Sequence, residues 1–302
     1  MALKGLDFTI NYGEIMVLLG PNGSGKTTLL MILATVLKPT SGTAKVLGID
    51  VTKQPTQVRK VLGIAFQEAR GFWRHKPADI LRFHAAVCGV PKAKRDVEIE
   101  EILKALELWD DRNKLFMHLS GGQAKRLETA KVLIQRPKFA IFDEPSSQVD
   151  LRGKREIWEQ ILRLRDEGST ILVATNEVRE AEYLADRVTI LDQGRSIVCD
   201  TVKNLKDKIA GGDIVELELE PGPDSARLQE ELKQIKGTVN LVNTGENRYK
   251  VHVSMAEAWV PKMTNLCFER KARLLSVKVT EPSLDDVFLH FTGKALEAPK
   301  NA

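Results

Sequence analysis

Apolar positions fall in two rhythms along the first two-thirds of the chain. Short unbroken apolar runs, "EIMVLLG", "VLGIAF", "KFAIFD" and "STILVAT", give way to polar residues. Runs of that length predict strands buried on both faces. Between them lie "KTTLLMILATVL", "ADILRFHAAVCG", "EIEEILKALELW" and "GKREIWEQILRLRDEG", with apolar residues recurring every three or four positions. That spacing predicts helices. Buried strands alternating with helices predict an α/β fold, a mostly parallel sheet covered on both faces.

The rhythm changes at "KDKIAGGD", residues 206–213, where a Gly-Gly pair punctuates the chain. Beyond it "IVELELE" alternates as a half-buried strand does, and "DSARLQEELKQIKG" is helical. "VNLVNTGENRYKVHV" predicts two strands around a Gly-Glu-Asn turn. "MAEAWVPKMTNLCFERK" predicts a helix kinked or bounded at Pro261, and "ARLLSVKVT" a strand. The order β-α-β-β-α-β is the ferredoxin-like arrangement. A last helix, "SLDDVFLHF", follows Pro282 with Ser283 as its N-cap. The expected division is a large domain over 1–205, a linker over 206–213, a small α+β domain over 214–292 and a frayed tail over 293–302.

Bulk properties narrow the class. The 302 residues carry a net charge of only +4, which implies no nucleic-acid partner. No apolar run is long enough to span a bilayer, and "MALKGLDFTINYGE" lacks the apolar core of a secretory signal. Cys88, Cys199 and Cys267 are few, odd in number and far apart, so buried filler in a reduced cytosol is the expected role of each.

Two motifs carry chemistry. "GPNGSGKTT", residues 20–28, matches G-x-x-x-x-G-K-[ST] between a predicted strand and a predicted helix. Gly20, Pro21, Asn22, Gly23, Ser24, Gly25, Lys26, Thr27 and Thr28 would curl so that amides and a helix N-terminus face phosphate oxygens. Lys26 would reach the outer phosphates, and the Thr27 hydroxyl would face Mg²⁺. "KFAIFDEP" ends a buried strand in two acids. Asp143 suits the Mg²⁺ shell, and Glu144 suits a general base for an attacking water.

Between these motifs lies "LSGGQ", followed by the helical "AKRLETAKVLIQR". Ser120, Gly121, Gly122 and Gln123 form a second helix N-terminus ready for an anion. A chain already supplying one phosphate loop does not need another, so this one is expected to serve a nucleotide held by a second subunit. Over residues 3–205 the chain resembles the ATP-binding subunits of ABC transporters. The likeness rests on the phosphate loop, Gln67 of "AFQEA", "LSGGQ", the "DEP" strand, Asp150 of "SSQVD" and the "DQGR" turn. It implies a P-loop cassette with a helical signature subdomain, ATP and Mg²⁺ as cofactors, and Gln67 as a further metal and catalytic contact. It also implies head-to-tail pairing with a second ATP-binding subunit, Asp150 in the dimer loop, and a separate membrane permease that holds the subunit at the inner face of the cell membrane. "EPSLDDVFLHFTGK" resembles the end of daunorubicin-resistance type ATPases, a branch serving drug and lipid exporters.

The sequence departs from that pattern in places. The aromatic that stacks on adenine in the family would fall before Met1, and Tyr12 is expected to pack at a strand end instead. Gln148 stands where the family prefers a small residue. Asn176 stands where the family has a switch histidine; it keeps an N–H donor but is shorter and never cationic. Asn176 also suits an N-cap for "EVREAEYLADR", a role compatible with catalysis. His75, His84 and His118 are read as surface or packing residues. "EARGFWRHKPADI" lies where the family receives its permease, with Phe72 and Trp73 among basic residues, or folded inward as a plain loop. Two functions remain open at this level. One is a slow transport ATPase. The other is a nucleotide-gated regulatory subunit that hydrolyses poorly, paired with a complete partner. A soluble ATPase of the DNA-repair or translation type would carry coiled-coil insertions or tandem cassettes, and the chain has neither.

Overall fold

The computed structural model describes residues 2–68, 73–209, 212–220, 225–245, 247–280, 282–294 and 296. The chain forms two compact units, Met1–Thr201 with Leu296–Ala302, and Val202–Ala295.

The first unit is built on six strands: β1 (Ile15–Leu19), β4 (Leu62–Ala65), β5 (Phe139–Asp143), β6 (Thr170–Thr175), β7 (Arg187–Asp192) and β8 (Arg195–Asp200). A small hairpin of β2 (Lys45–Val46) and β3 (Ile49–Asp50) stands apart. The sheet order is β4-β5-β6-β1-β7-β8, parallel throughout except for β8. β1, β5 and β6 are buried along their whole length. Their unbroken apolar runs therefore reflect helices on both faces. The helices of this unit are α1 (Lys26–Leu33), α2 (Pro55–Val61), α3 (Pro77–Val87), α4 (Lys92–Ala105), α5 (Gly121–Gln135), α6 (Leu151–Asp166) and α7 (Val178–Leu184). α3, α4 and α5 pack on one another, as a helical subdomain requires.

The register fixes the working edge. Leu19 lies beside Thr175, and Asp143 beside Ala174. The segments after β1, β5 and β6 therefore leave from one edge, outside the carboxyl ends of parallel strands, where open α/β sheets bind ligands.

Two elements are shorter than their patterns predict. α1 stops at Leu33 because Thr35 turns left-handed, with φ 61°. The Thr35 N–H then bonds Ile32 O and the Val36 N–H bonds Met31 O, a Schellman closure. β4 begins only at Leu62, because Val61 ends α2.

The second unit contains α8 (Val202–Asp207), β9 (Asp213–Leu219), α9 (Ser225–Gln234), β10 (Thr238–Gly245), β11 (Arg248–Val253), α10 (Ala256–Glu269), β12 (Leu274–Thr280) and α11 (Leu284–Thr292). β10 pairs antiparallel with β11, and β12 with β9. A parallel bridge, Gly212 to Val253, and the bond from Leu219 N–H to Asn247 O join β9 to β11. This is the ferredoxin-like order. Val215, Leu217, Tyr249, Val251, Trp259 and Met263 form its own core. α10 runs through Pro261 without ending there. Ser283 caps α11 in a capping box with Asp286.

Three expectations are corrected. The boundary falls at Thr201, ahead of residue 205, because Val202–Asp207 coils into a helix that packs on α11. Of the cysteines only Cys267 is buried; Cys88 is exposed and Cys199 half-buried. Tyr12 is 79% exposed and packs at no strand end. Residues 297–302 of the expected tail lie outside the described residues. No described helix is long and apolar enough to cross a membrane.

Candidate functional site

The phosphate loop leaves β1 through Gly20, whose N–H bonds Thr175 O at 3.2 Å. A Cβ on Gly20 would lie 2.2 Å from Leu191 O, so only glycine fits. Gly25, with φ 107°, starts α1 in a left-handed conformation that favours glycine. Pro21, Asn22, Gly23 and Ser24 form the turn between them, closed by Ser24 N–H to Pro21 O at 3.2 Å. Lys26, Thr27 and Thr28 occupy the first turn of α1, whose N–H groups have no partner within the helix. Lys26 is buried and donates to Gly20 O at 2.5 Å and Pro21 O at 3.1 Å. Burial pushes its pKa down, against the opposing pull of Glu144 and Asp143.

Asp143 ends β5 beneath that helix start. Its Oδ2 accepts from the Thr27 hydroxyl at 3.2 Å. Burial pushes the Asp143 pKa up, with Glu144 adding to the effect while Thr27, Lys125 and Lys26 oppose it. A hydroxyl, a carboxylate and the amide of Gln67 nearby are hard oxygen donors of the kind Mg²⁺ takes alongside substrate phosphates. Among the described residues no three His, Cys, Asp or Glu side chains gather to hold a metal, so the donor set fits an ion that one carboxylate and a nucleotide share. Bound there, Mg²⁺ would supply positive charge against phosphate oxygens.

Glu144 adopts φ 47°, a left-handed conformation that costs a non-glycine residue about 1–3 kcal/mol. Its N–H bonds Ala174 O at 2.8 Å, which extends the β5–β6 pairing by one residue. The turn swings its carboxylate out of the strand direction, where Oε2 accepts from Gln67 Nε2 at 3.0 Å. Gln67 lies two residues beyond β4. Two residues 77 apart in sequence are thus joined, as expected of a shared site.

Asn176 follows β6 but does not cap α7. That helix begins at Val178 with Glu177 at the cap position, and the Thr175 hydroxyl takes the Glu177 N–H at 2.9 Å. The half-buried Asn176 side chain makes no hydrogen bond with the described residues. The cap expected at Asn176 falls to Glu177.

Ser120 caps α5. Its Oγ accepts from Gln123 N–H at 3.2 Å, and Gln123 Oε1 accepts from Ser120 N–H at 2.9 Å. Gln123 Nε2 donates to Asp111 Oδ2 at 2.5 Å. Gln123 is therefore spent on shaping the helix start, which leaves the Ser120 hydroxyl proton and the Gly121 and Gly122 amides for an anion. Gln148, with φ 63°, turns its side chain back over this start; its Oε1 would lie 2.9 Å from a Cβ on Gly121. Asp150 precedes α6 and accepts from Arg126 at 3.3 Å.

Sequence reasoning missed two supporting residues. Lys125 and Glu180 are buried charged groups at the edge of this site. The only signal for either was a charge on the apolar side of a helix. Trp73 is 74% exposed, whereas Arg70 and Phe72 of the expected docking stretch lie outside the described residues.

Comparison with known proteins agrees with this geometry. The family model for ABC transporter matches residues 3–147, and that for the C-terminal domain of DrrA1-3-like ATP-binding proteins matches 201–292. Across 98% of its length the chain is 31% identical to the daunorubicin resistance ATP-binding protein DrrA2 of Streptomyces coeruleorubidus, covering 92% of that protein. The chain belongs to the ABC transporter ATP-binding family. This ABC cassette, an ATPase, is also 29% identical to the Nod factor export ATP-binding protein I of Rhizobium etli, covering 98% of this chain and 90% of that one. Among solved structures, the ATP-binding cassette MJ0796, a dimer in a post-hydrolysis state bound to ADP and Pi, superposes with a TM-score of 0.62 at 26% identity. That match covers 66% of this chain and 90% of the other.

Proposed function

We propose that this ABC ATPase energises a separate membrane permease that exports a drug, lipid or similar molecule. In this reading ATP and Mg²⁺ bind at residues 20–28, and Lys26 meets the outer phosphates. Thr27, Asp143 and Gln67 surround the metal, and Glu144 orients and deprotonates the attacking water. Asn176 donates an N–H toward the terminal phosphate. Ser120, Gly121 and Gly122 complete the nucleotide site of a second ATP-binding subunit, with Gln123 holding them in shape and Asp150 at the dimer contact. The permease holds the pair at the inner face of the membrane, with Trp73 on the docking surface.

The observation that carries the proposal is the meeting of Gln67 with Glu144 beside Thr27 with Asp143. With Glu144 read as the base and Thr27 and Asp143 as metal contacts, that meeting supports turnover over a purely regulatory role. The names of the full-length relatives, daunorubicin resistance and Nod factor export, support the direction of transport.

The test is phosphate release from Mg·ATP by the purified chain. Wild type should hydrolyse slowly but measurably. Glu144→Gln should lower kcat by about 10²–10⁴, the worth of a positioned general base. Retention of wild-type kcat in Glu144→Gln would remove Glu144 from the mechanism.

A further inference from the structure

Lys125 lies five residues after Ser120 on α5 and is only 4% exposed. A buried ammonium is costly unless every donor finds an acceptor. Here three backbone carbonyls receive it: Phe66 O at 3.1 Å, Gln67 O at 2.6 Å and Asp143 O at 3.1 Å. Three N–H donors meet three acceptors. Burial lowers the Lys125 pKa, while Asp143, Glu144, Glu128 and Glu180 hold it up.

Those carbonyls begin where the sheet stops. β4–β5 pairing ends at Ala65 beside Phe142. Beyond that pair no ladder holds the Phe66–Gln67 segment to the Asp143–Glu144 segment. Their side chains nevertheless meet at 3.0 Å. The ammonium bridges the gap from below, and its own helix starts at the signature residues.

We propose that Lys125 is a positioning residue for hydrolysis. It fixes Gln67 against Glu144 and ties both to the helix that carries Ser120, Gly121 and Gly122. The inference rests on the roles given above to Gln67 and Glu144.

The test is steady-state Mg·ATP hydrolysis by the purified full chain carrying Lys125→Met, Lys125→Arg or Glu144→Gln, with thermal melting of each. Lys125→Met keeps the length and removes every donor. Its kcat should fall about 10–100-fold, as for other groups that orient metal and catalytic ligands. Its KM for ATP should stay within about threefold, because the phosphate loop is untouched. Lys125→Arg should recover most of the rate, since it restores the cation and its donors. Should Lys125→Met not fold, Lys125→Gln, which keeps an N–H donor but no charge, carries the same comparison. The proposal is overturned by a wild-type kcat in the uncharged variant. It is equally overturned if Lys125→Arg is as slow as Lys125→Met, which would mark a packing role. Activity surviving in Glu144→Gln would discard the underlying reading. Loss in Glu144→Gln with none in Lys125→Met would discard only this one.

Discussion

Truncating Glu180 should destabilise the first unit more than any conservative change at the same position. Its carboxylate is 1% exposed, and Oε1 accepts from the Ser146 hydroxyl at 2.5 Å and the Trp158 indole N–H at 2.9 Å. Both donors are buried. Glu180→Ala leaves them without an acceptor, at about 1–3 kcal/mol each, the rotatable hydroxyl at the low end. It also removes one buried methylene, worth about 0.8 kcal/mol. The expected loss is about 3–5 kcal/mol, a large part of the 5–15 kcal/mol that stabilises a typical domain. Glu180→Gln keeps Oε1 as an acceptor and should cost about 1 kcal/mol or less.

Protonation sharpens the contrast. Burial pushes the Glu180 pKa above the ordinary 4.5, outweighing the bonds from Ser146, Thr175 and Trp158. The folded chain therefore holds this proton more tightly than the unfolded chain does. The resulting stability is fully present below 4.5 and is lost as pH rises through the raised value. Glutamine has no proton to lose, so Glu180→Gln should gain on wild type as pH rises above 4.5. Urea unfolding followed by tryptophan fluorescence measures both effects. A Glu180→Ala unfolding free energy within about 1 kcal/mol of wild type would refute the account of the buried bonds. Parallel pH profiles for wild type and Glu180→Gln would refute the account of the proton.

Two further outcomes follow from single residues. Asn176→His should raise kcat about tenfold, less than the 10²–10³ worth of a whole donor because asparagine already supplies one; equal turnover of the two proteins would remove the catalytic meaning of position 176. The Asp50 carboxyl, held by the Thr52 hydroxyl and the Thr52 and Lys53 amides, should titrate at about 2 rather than 3.8. Its stabilising effect is present above 3.8 and disappears as pH falls through 2. An NMR titration giving an unshifted Asp50 would contradict those bonds.

Much of the site was legible because its chemistry is local. A glycine-rich loop between strand and helix, a pair of acids after an apolar run and a Ser-Gly-Gly helix start each specify backbone geometry over a few residues. The order of strands and helices was legible for the same reason, since unbroken and periodic apolar runs report which faces are covered. The pattern does not fix Tyr12, Cys88 or Asn176, because exposure and capping depend on neighbours that it does not contain. Thr175, not Asn176, supplies the acceptor for Glu177, a choice made by where β6 ends.

The sequence by itself determined the two units, the strand and helix types, the phosphate loop and the identity of the acids. Tertiary structure decided how those parts meet. Parallel register brought Leu19 beside Thr175 and Asp143 beside Ala174, and no local signal encodes that alignment. A left-handed turn aimed Glu144 at Gln67. Lys125 and Glu180 read as ordinary helix charges until packing buried them. Their cost is met by carbonyls, a hydroxyl and an indole N–H brought from distant segments, which is why their roles exist in the fold and not in the string of residues.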